Sequence, residues 1–112
     1  MTADEFRGLT LTLPEASEGS HMGHPDFRVR GKIFATLGPS EAWGMVKLKP
    51  EQQAQLVSMM PGVLQPIAGG WGVRGATRVS LEAATERPVR DALIMAWRNT
   101  APKSLARQLE DE

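Results

Sequence analysis

Cysteine and tyrosine are absent from the 112 residues, histidine occurs twice, and aromatic residues make up only 5% of the chain. Without cysteine there is no disulfide framework, no zinc-finger or iron–sulfur ligand set and no thiol nucleophile, and a reducing compartment suits the chain. With no tyrosine and with His21 and His24 as the only imidazoles, acid–base equipment is sparse. A non-enzymatic protein without a cofactor is therefore expected. No apolar run approaches the roughly 20 residues that cross a bilayer, and Asp4 and Glu5 stand where a signal peptide carries its basic stretch,. The expectation is a cytoplasmic protein with no membrane contact. Net charge is lacking as well, with thirteen basic residues against thirteen acidic ones.

What is present is an ordinary globular mixture: 41% hydrophobic and 23% charged residues exclude a disordered tail, a collagen-like repeat and a coiled coil,. The length suits one domain over residues 1–112, expected to be a monomer,. The zero net charge conceals an uneven distribution. From Phe27 to Leu81 seven basic residues face only Glu41 and Glu51, a net of +5, while the flanking segments are acidic. A neutral protein of this kind can still present one positive face.

Thr2 and Glu5 have the spacing of a capping box, and Phe6, Leu9 and Leu13 recur at helical period, which predicts a helix over about residues 3–12,. Pro14 ends it, and Glu15 to Pro25 reads as a loop,. From Asp26 the period becomes two. Phe27 to Arg30 and Lys32 to Leu37 form a hairpin about Gly31, and Trp43 to Leu48 a third strand,. Pro50 opens a helix through about Met59,. Val63 to Ala68, limited to an edge by Pro66, and Trp71 to Leu81 read as two more strands,. Val89, Ala92, Leu93, Ala96, Trp97 and Thr100 then form the apolar stripe of a helix capped at Thr85, and Ser104 to Leu109 a short terminal helix,. The acidic end Glu110, Asp111 and Glu112 is expected to be solvated,. The order α-β-β-β-α-β-β-α argues for a two-layer α+β domain, an antiparallel sheet with helices on one face and the other face open.

Strand alternation assigns side chains to that open face. With Phe27, Val29, Ile33, Ala35, Leu37, Val46 and Leu48 inward, the outward set is Arg28, Arg30, Lys32, Lys47, Lys49, Arg74 and Arg78, with Phe34, Trp43, Thr36 and Met45. Cations contact phosphates and the rings of Phe34 and Trp43 can stack on bases, so the face reads as a nucleic-acid platform. Two other readings use the same residues. Phe34, Trp43 and Met45 can anchor a protein with an acidic surface, and a pocket near His24 and Arg28 can hold a small anion. A plainer origin also exists, because acidic residues are disfavoured in strands and Glu15, Glu18 or Glu41 can fold back to neutralise the cations.

Gly70-Trp71-Gly72-Val73-Arg74-Gly75 matches the dinucleotide fingerprint G-x-G-x-x-G by letter, but the expected strand–turn–helix context is missing, so the glycines are read as packing devices and Trp71 as a core residue,. His21, His24 and Asp26 on a glycine-flanked loop make a poor metal site, and none is assigned.

The blocks Leu13-Pro14, Glu18-Gly19, His24-Pro25-Asp26-Phe27-Arg28-Val29, Gly31-Lys32-Ile33-Phe34-Ala35, Trp43-Gly44-Met45-Val46-Lys47-Leu48, Gly70-Trp71-Gly72 and Ala96-Trp97-Arg98 occur in one order that resembles the MmcQ/YjbR family from about Phe6 to Leu105. The resemblance implies a small bacterial cytoplasmic domain with a CyaY-like α+β fold. It also implies DNA binding, by analogy of sheet and loops to a double-wing arrangement, and no catalytic motif. Arg28, Lys32 and Lys47 fall inside the matching blocks. The carboxylate cluster of an iron-binding surface is absent, so iron is not carried over.

Overall fold

In the computed structural model, which describes residues 1–110, the chain runs α1 (Ala3–Leu11), β1 (Ala16–His21), β2 (His24–Val29), β3 (Lys32–Leu37), a 3-10 turn (Pro39–Glu41), β4 (Trp43–Lys47), α2 (Pro50–Met59), β5 (Leu64–Pro66), α3 (Gly70–Val73), β6 (Ala76–Ser80), α4 (Glu86–Thr100) and α5 (Lys103–Glu110). Asp111 and Glu112, with the expectation attached to them, lie outside the described residues. The six strands form one antiparallel sheet in the order β1-β2-β3-β4-β6-β5. Helices α1 and α4 cover one face, so the α+β class and the covered-and-open arrangement read from the sequence hold. No helix is long and apolar enough to cross a membrane among the described residues.

Two segments differ from the sequence reading. The stretch read as a loop contains β1, which pairs along its whole length with β2. Its residues are exposed or half-buried, so it carries no hydrophobic alternation to reveal it. The hairpin closes through Met22 and Gly23, with φ of 52° and 87°, and the β2–β3 hairpin closes the same way through Arg30 and Gly31, at 52° and 80°. Positive φ at both central residues is the signature of the two-residue turn whose twist matches the flanking strands. The second difference is at Gly70 to Arg74, where a short helical turn replaces the start of the long strand. Trp71 and Val73, assigned to the core by parity, are instead 65% and 78% exposed.

The core lies between α1 and α4 and the inner sheet face. Phe6 from α1 reaches the sheet at Gly44, where a Cβ would come within 2.9 Å of its ring, and meets Phe27 edge-on at 6.2 Å between centroids. Trp97 of α4 is fully buried and its Nε1–H donates to the Pro14 carbonyl at 3.0 Å, tying the last long helix to the turn after the first. Buried Gln53 of α2 donates to the carbonyls of Gly72 and Ala76, both at 3.0 Å, which seats α3 against β6. The capping box is present in both directions: Glu5 N–H donates to Thr2 Oγ1 at 3.0 Å and Thr2 N–H to Glu5 Oε1 at 2.9 Å. The Thr2 hydrogen bonds hold the Glu5 carboxyl below the usual range. Thr2→Ala is expected to lower unfolding free energy by about 1 kcal/mol, read as a lower urea midpoint at unchanged slope.

Candidate nucleic-acid interface

Of the seven cations that the alternation placed on the open face, the structure commits two to ion pairs. Arg28 holds Asp26 with two parallel bonds, Nε to Oδ1 at 2.8 Å and Nη2 to Oδ2 at 3.0 Å, and Asp26 is fully buried. Both residues lie on the outer face, two apart on β2. Across from them on β1, a Cβ at Gly19 would sit 3.0 Å from Asp26 Oδ1, so the bare backbone there makes room for the pair. Arg30 is not a strand residue. It occupies the hairpin turn, and its guanidinium holds Glu15 through bonds of 2.7 and 2.9 Å, which keep the Glu15 carboxyl below the ordinary range. Glu15 thus folds back as the plainer reading allowed, whereas Glu18 and Glu41 are held by Arg7 of α1 instead.

Lys32, Lys47, Lys49, Arg74 and Arg78 form no ion pair among the described residues. Only Lys47 and Arg78 sit on strands with the outward parity expected of them, alongside Met45 and Trp43. Lys49 and Arg74 lie beyond strand ends, one capping α2 and the other closing α3. Lys32 pairs with Val29 and so takes the inner side at the end of the sheet. There it lines a cleft of about 520 Å³ with Arg28, Lys47, Asn99 and Thr100. Asn99 is held in that wall by donating to the Lys47 carbonyl at 3.2 Å and to Gln52 Oε1 at 2.7 Å.

The reassignment of Lys32 and of its neighbours has one cause. Phe27 pairs with Ala35 but Arg28 pairs with Ile33, so Phe34 is an extra residue in β3, a bulge,. The bulge turns both Phe34 and Ala35 inward and sends Ile33 out. Phe34, expected as a stacking ring and as a protein anchor, is fully buried and can be neither. Trp43 remains. Its indole lies over Gly38, where a Cβ would meet the ring at 2.3 Å, and the Arg78 guanidinium stands over it at 5.0 Å from the ring centroid.

Trp71 joins Trp43 on this face. The helical turn between Gly69 and Gly75 lifts it out of the sheet, with Arg74 over its ring at 5.6 Å. Ile33, Met45 and Ile67 form the floor between the two indoles, and the tip of the β1–β2 hairpin closes one side with His21, Met22 and His24, enclosing about 460 Å³ of mostly apolar groove. Nδ1 of His24 is closed off from solvent and has no hydrogen-bond partner among the described residues. His24 and Arg28, paired in the small-anion reading, line different cavities. No three of His, Asp and Glu come together in a metal-holding group among the described residues. The sequence reading missed Trp71, Ile33 and Ile67 for the groove. A signal was available for the first, since four glycines within seven residues of Gly69 to Gly75 are a poor strand and a good irregular turn,. The arrangement offers flat apolar surface with cations at its margins, which suits a ligand that has both rings and negative charge.

Comparison with known proteins agrees with the fold and its residues. No curated protein matches the sequence. Among solved structures, DR2400 of Deinococcus radiodurans, described as carrying the domain DUF419, superposes with a TM-score of 0.73 over 97% of this chain and 88% of its own, at 16% identity. At that identity the likeness speaks to fold alone. The sequence pattern named YjbR matches residues 11–99, which takes in every strand, the groove and the basic cleft except Thr100, and on that match the chain belongs to the YjbR family.

Proposed function

We propose that this protein binds nucleic acid through the open face of its sheet, DNA being the form that the family resemblance implies, and that it acts by binding rather than by chemistry. The observation that carries the reading is that five of the seven cations expected on this face form no ion pair among the described residues, and four of these surround or adjoin the groove: Lys47 lines it, Arg74 and Arg78 lie on its two indoles, and Lys32 shares the adjoining cleft with Lys47. Phosphate contacts of this kind supply affinity with little sequence preference. Arg28 and Arg30 leave the contact set, because their charge is spent on Asp26 and Glu15.

The test is fluorescence anisotropy of short labelled oligonucleotides titrated at several salt concentrations. Affinity is expected to fall linearly on a log–log plot, and the double variant Lys47→Ala/Arg74→Ala to reduce the slope by about 1 to 2. Absence of binding at low salt, or binding indifferent to salt, would overturn the reading. The apolar lining of the groove favours a second one, a protein-interaction surface anchored by Trp43, Met45 and Trp71 in place of the buried Phe34,. It predicts capture of a protein with an acidic surface that survives nuclease treatment.

A further inference from the structure

We infer that the nucleic acid this face takes is an unpaired strand, its bases laid against Trp71 and the apolar floor beside Trp43 and its phosphates met by Lys47, Arg74 and Arg78. The inference rests on the nucleic-acid reading and narrows it. In a duplex the flat faces of the bases are stacked on one another and only groove edges and phosphates are offered outward. Against such a surface, an indole that is 65% exposed and an apolar floor of Ile33, Met45 and Ile67 would meet charge and water. An unpaired base has an exposed ring face of its own, and aromatic side chains are where single strands stack.

Two details fit the strand and not the duplex. Arg74 stands over one face of Trp71 at 5.6 Å from the ring centroid and Arg78 over Trp43 at 5.0 Å, so a base on the open face of Trp71 has cations close by for its own phosphate,. The groove and the basic cleft share Ile33 and Lys47, giving a strand that leaves the indoles a continuous course toward Lys32 and Asn99. That cleft also holds the end of α4, whose partial negative charge offsets only part of the charge of the two lysines,.

The deciding experiment compares one labelled mixed-sequence single strand with the blunt duplex of the same sequence, by anisotropy at low salt, with the intrinsic tryptophan emission followed in parallel. The single strand is expected to bind about tenfold tighter or more and to quench the share of the emission that comes from Trp43 and Trp71, while Trp97, sealed in the core away from the strand, keeps its own,. Trp71→Ala should lower single-strand affinity roughly tenfold and leave duplex binding unchanged, while Trp71→Phe keeps most of the affinity. Trp71 is exposed, so neither change disturbs the core; the urea midpoint of each variant confirms it. Equal affinity for strand and duplex, or an unaffected Trp71→Ala, overturns this inference and leaves the broader reading standing. No binding of either form removes both. Displacement of the strand by poly-glutamate, with the same dependence on Trp71, would assign the groove to an acidic protein segment instead.

Discussion

Replacing Arg28 with alanine is expected to lower the urea midpoint of the fold well beyond the effect of Arg30→Ala, an effect on folding at a residue whose alternation and family block both suggested a phosphate contact. Asp26 is fully buried, and the two bonds from Arg28 are what its side chain has for a partner. Removing one member of a buried pair leaves the other charge uncompensated, which costs about 3 to 5 kcal/mol. The cost here falls below that range because the Arg28 side chain is itself 38% exposed, so water screens the pair and enters the space that the side chain leaves,. Arg30→Ala is the control. Its partner Glu15 is about half exposed, and such solvent-screened pairs contribute little,. Arg28→Lys should fall between, since an ammonium cannot make the paired bonds of the guanidinium. Urea unfolding of the three variants reads these differences directly, and an Arg28→Ala protein as stable as the parent would return Arg28 to the binding set. The consequence for mapping the interface is practical: a binding defect in any variant that includes Arg28→Ala reports a loosened sheet, and Lys32→Ala/Lys47→Ala is the cleaner probe of the cleft.

The elements that were legible in the sequence are those whose residues announce both faces. In α4 the stripe Val89, Ala92, Leu93, Ala96 and Trp97 is the buried set almost without change, and the box Thr2–Glu5 places the start of α1 within a residue. β4 was placed by the alternation of Gly44 and Val46 with Met45 and Lys47, and in β2 the faces of Phe27, Arg28 and Val29 read correctly, although the strand starts earlier, at His24, and Arg30 lies in the turn after it. β1 has neither, since Ala16-Ser17-Glu18-Gly19-Ser20-His21 forms an edge whose pairing energy comes from backbone bonds to β2, which leave no mark in side-chain pattern. The site was harder for a different reason. Assigning Lys32, Ile33 and Phe34 to faces presupposes an unbroken register, and a single bulge at Phe34 reverses every residue between it and the turn,. The pairing of Arg28 with Asp26 was within reach, because residues two apart on a strand share a face. That of Arg30 with Glu15 was not, because it needs β1 to exist.

Alanine at Gly75 is expected to cost 3 kcal/mol or more, whereas alanine at Gly70 should change stability by less than about 0.5 kcal/mol, although both belong to the same glycine motif. Gly75 has φ of +115°, a conformation L side chains rarely adopt, and a Cβ there would fall 1.9 Å from the Leu48 carbonyl oxygen. The end of β4 and the start of β6 are in backbone contact at this point, through Leu48 N–H donating to the Gly75 carbonyl at 3.2 Å, so neither chain can yield without giving up that bond. Strain of about 1 to 3 kcal/mol from the dihedral adds to a comparable overpacking cost. Gly70 has no positive φ and open space around its Cβ position. If the motif were a phosphate cradle, the order of sensitivity would be different: close approach of a ligand to the first glycines would make Gly70→Ala harmful to binding with no effect on folding. Urea unfolding and the oligonucleotide titration together separate the two. A stable Gly75→Ala protein would deny that the glycines are there for packing, and a Gly70→Ala protein that folds but no longer binds would mean that the strand's backbone reaches α3 itself. With Gly75 intolerant and Gly70 neutral in both measurements, the motif's purpose is to turn the chain tightly enough to hold Trp71 out over the sheet.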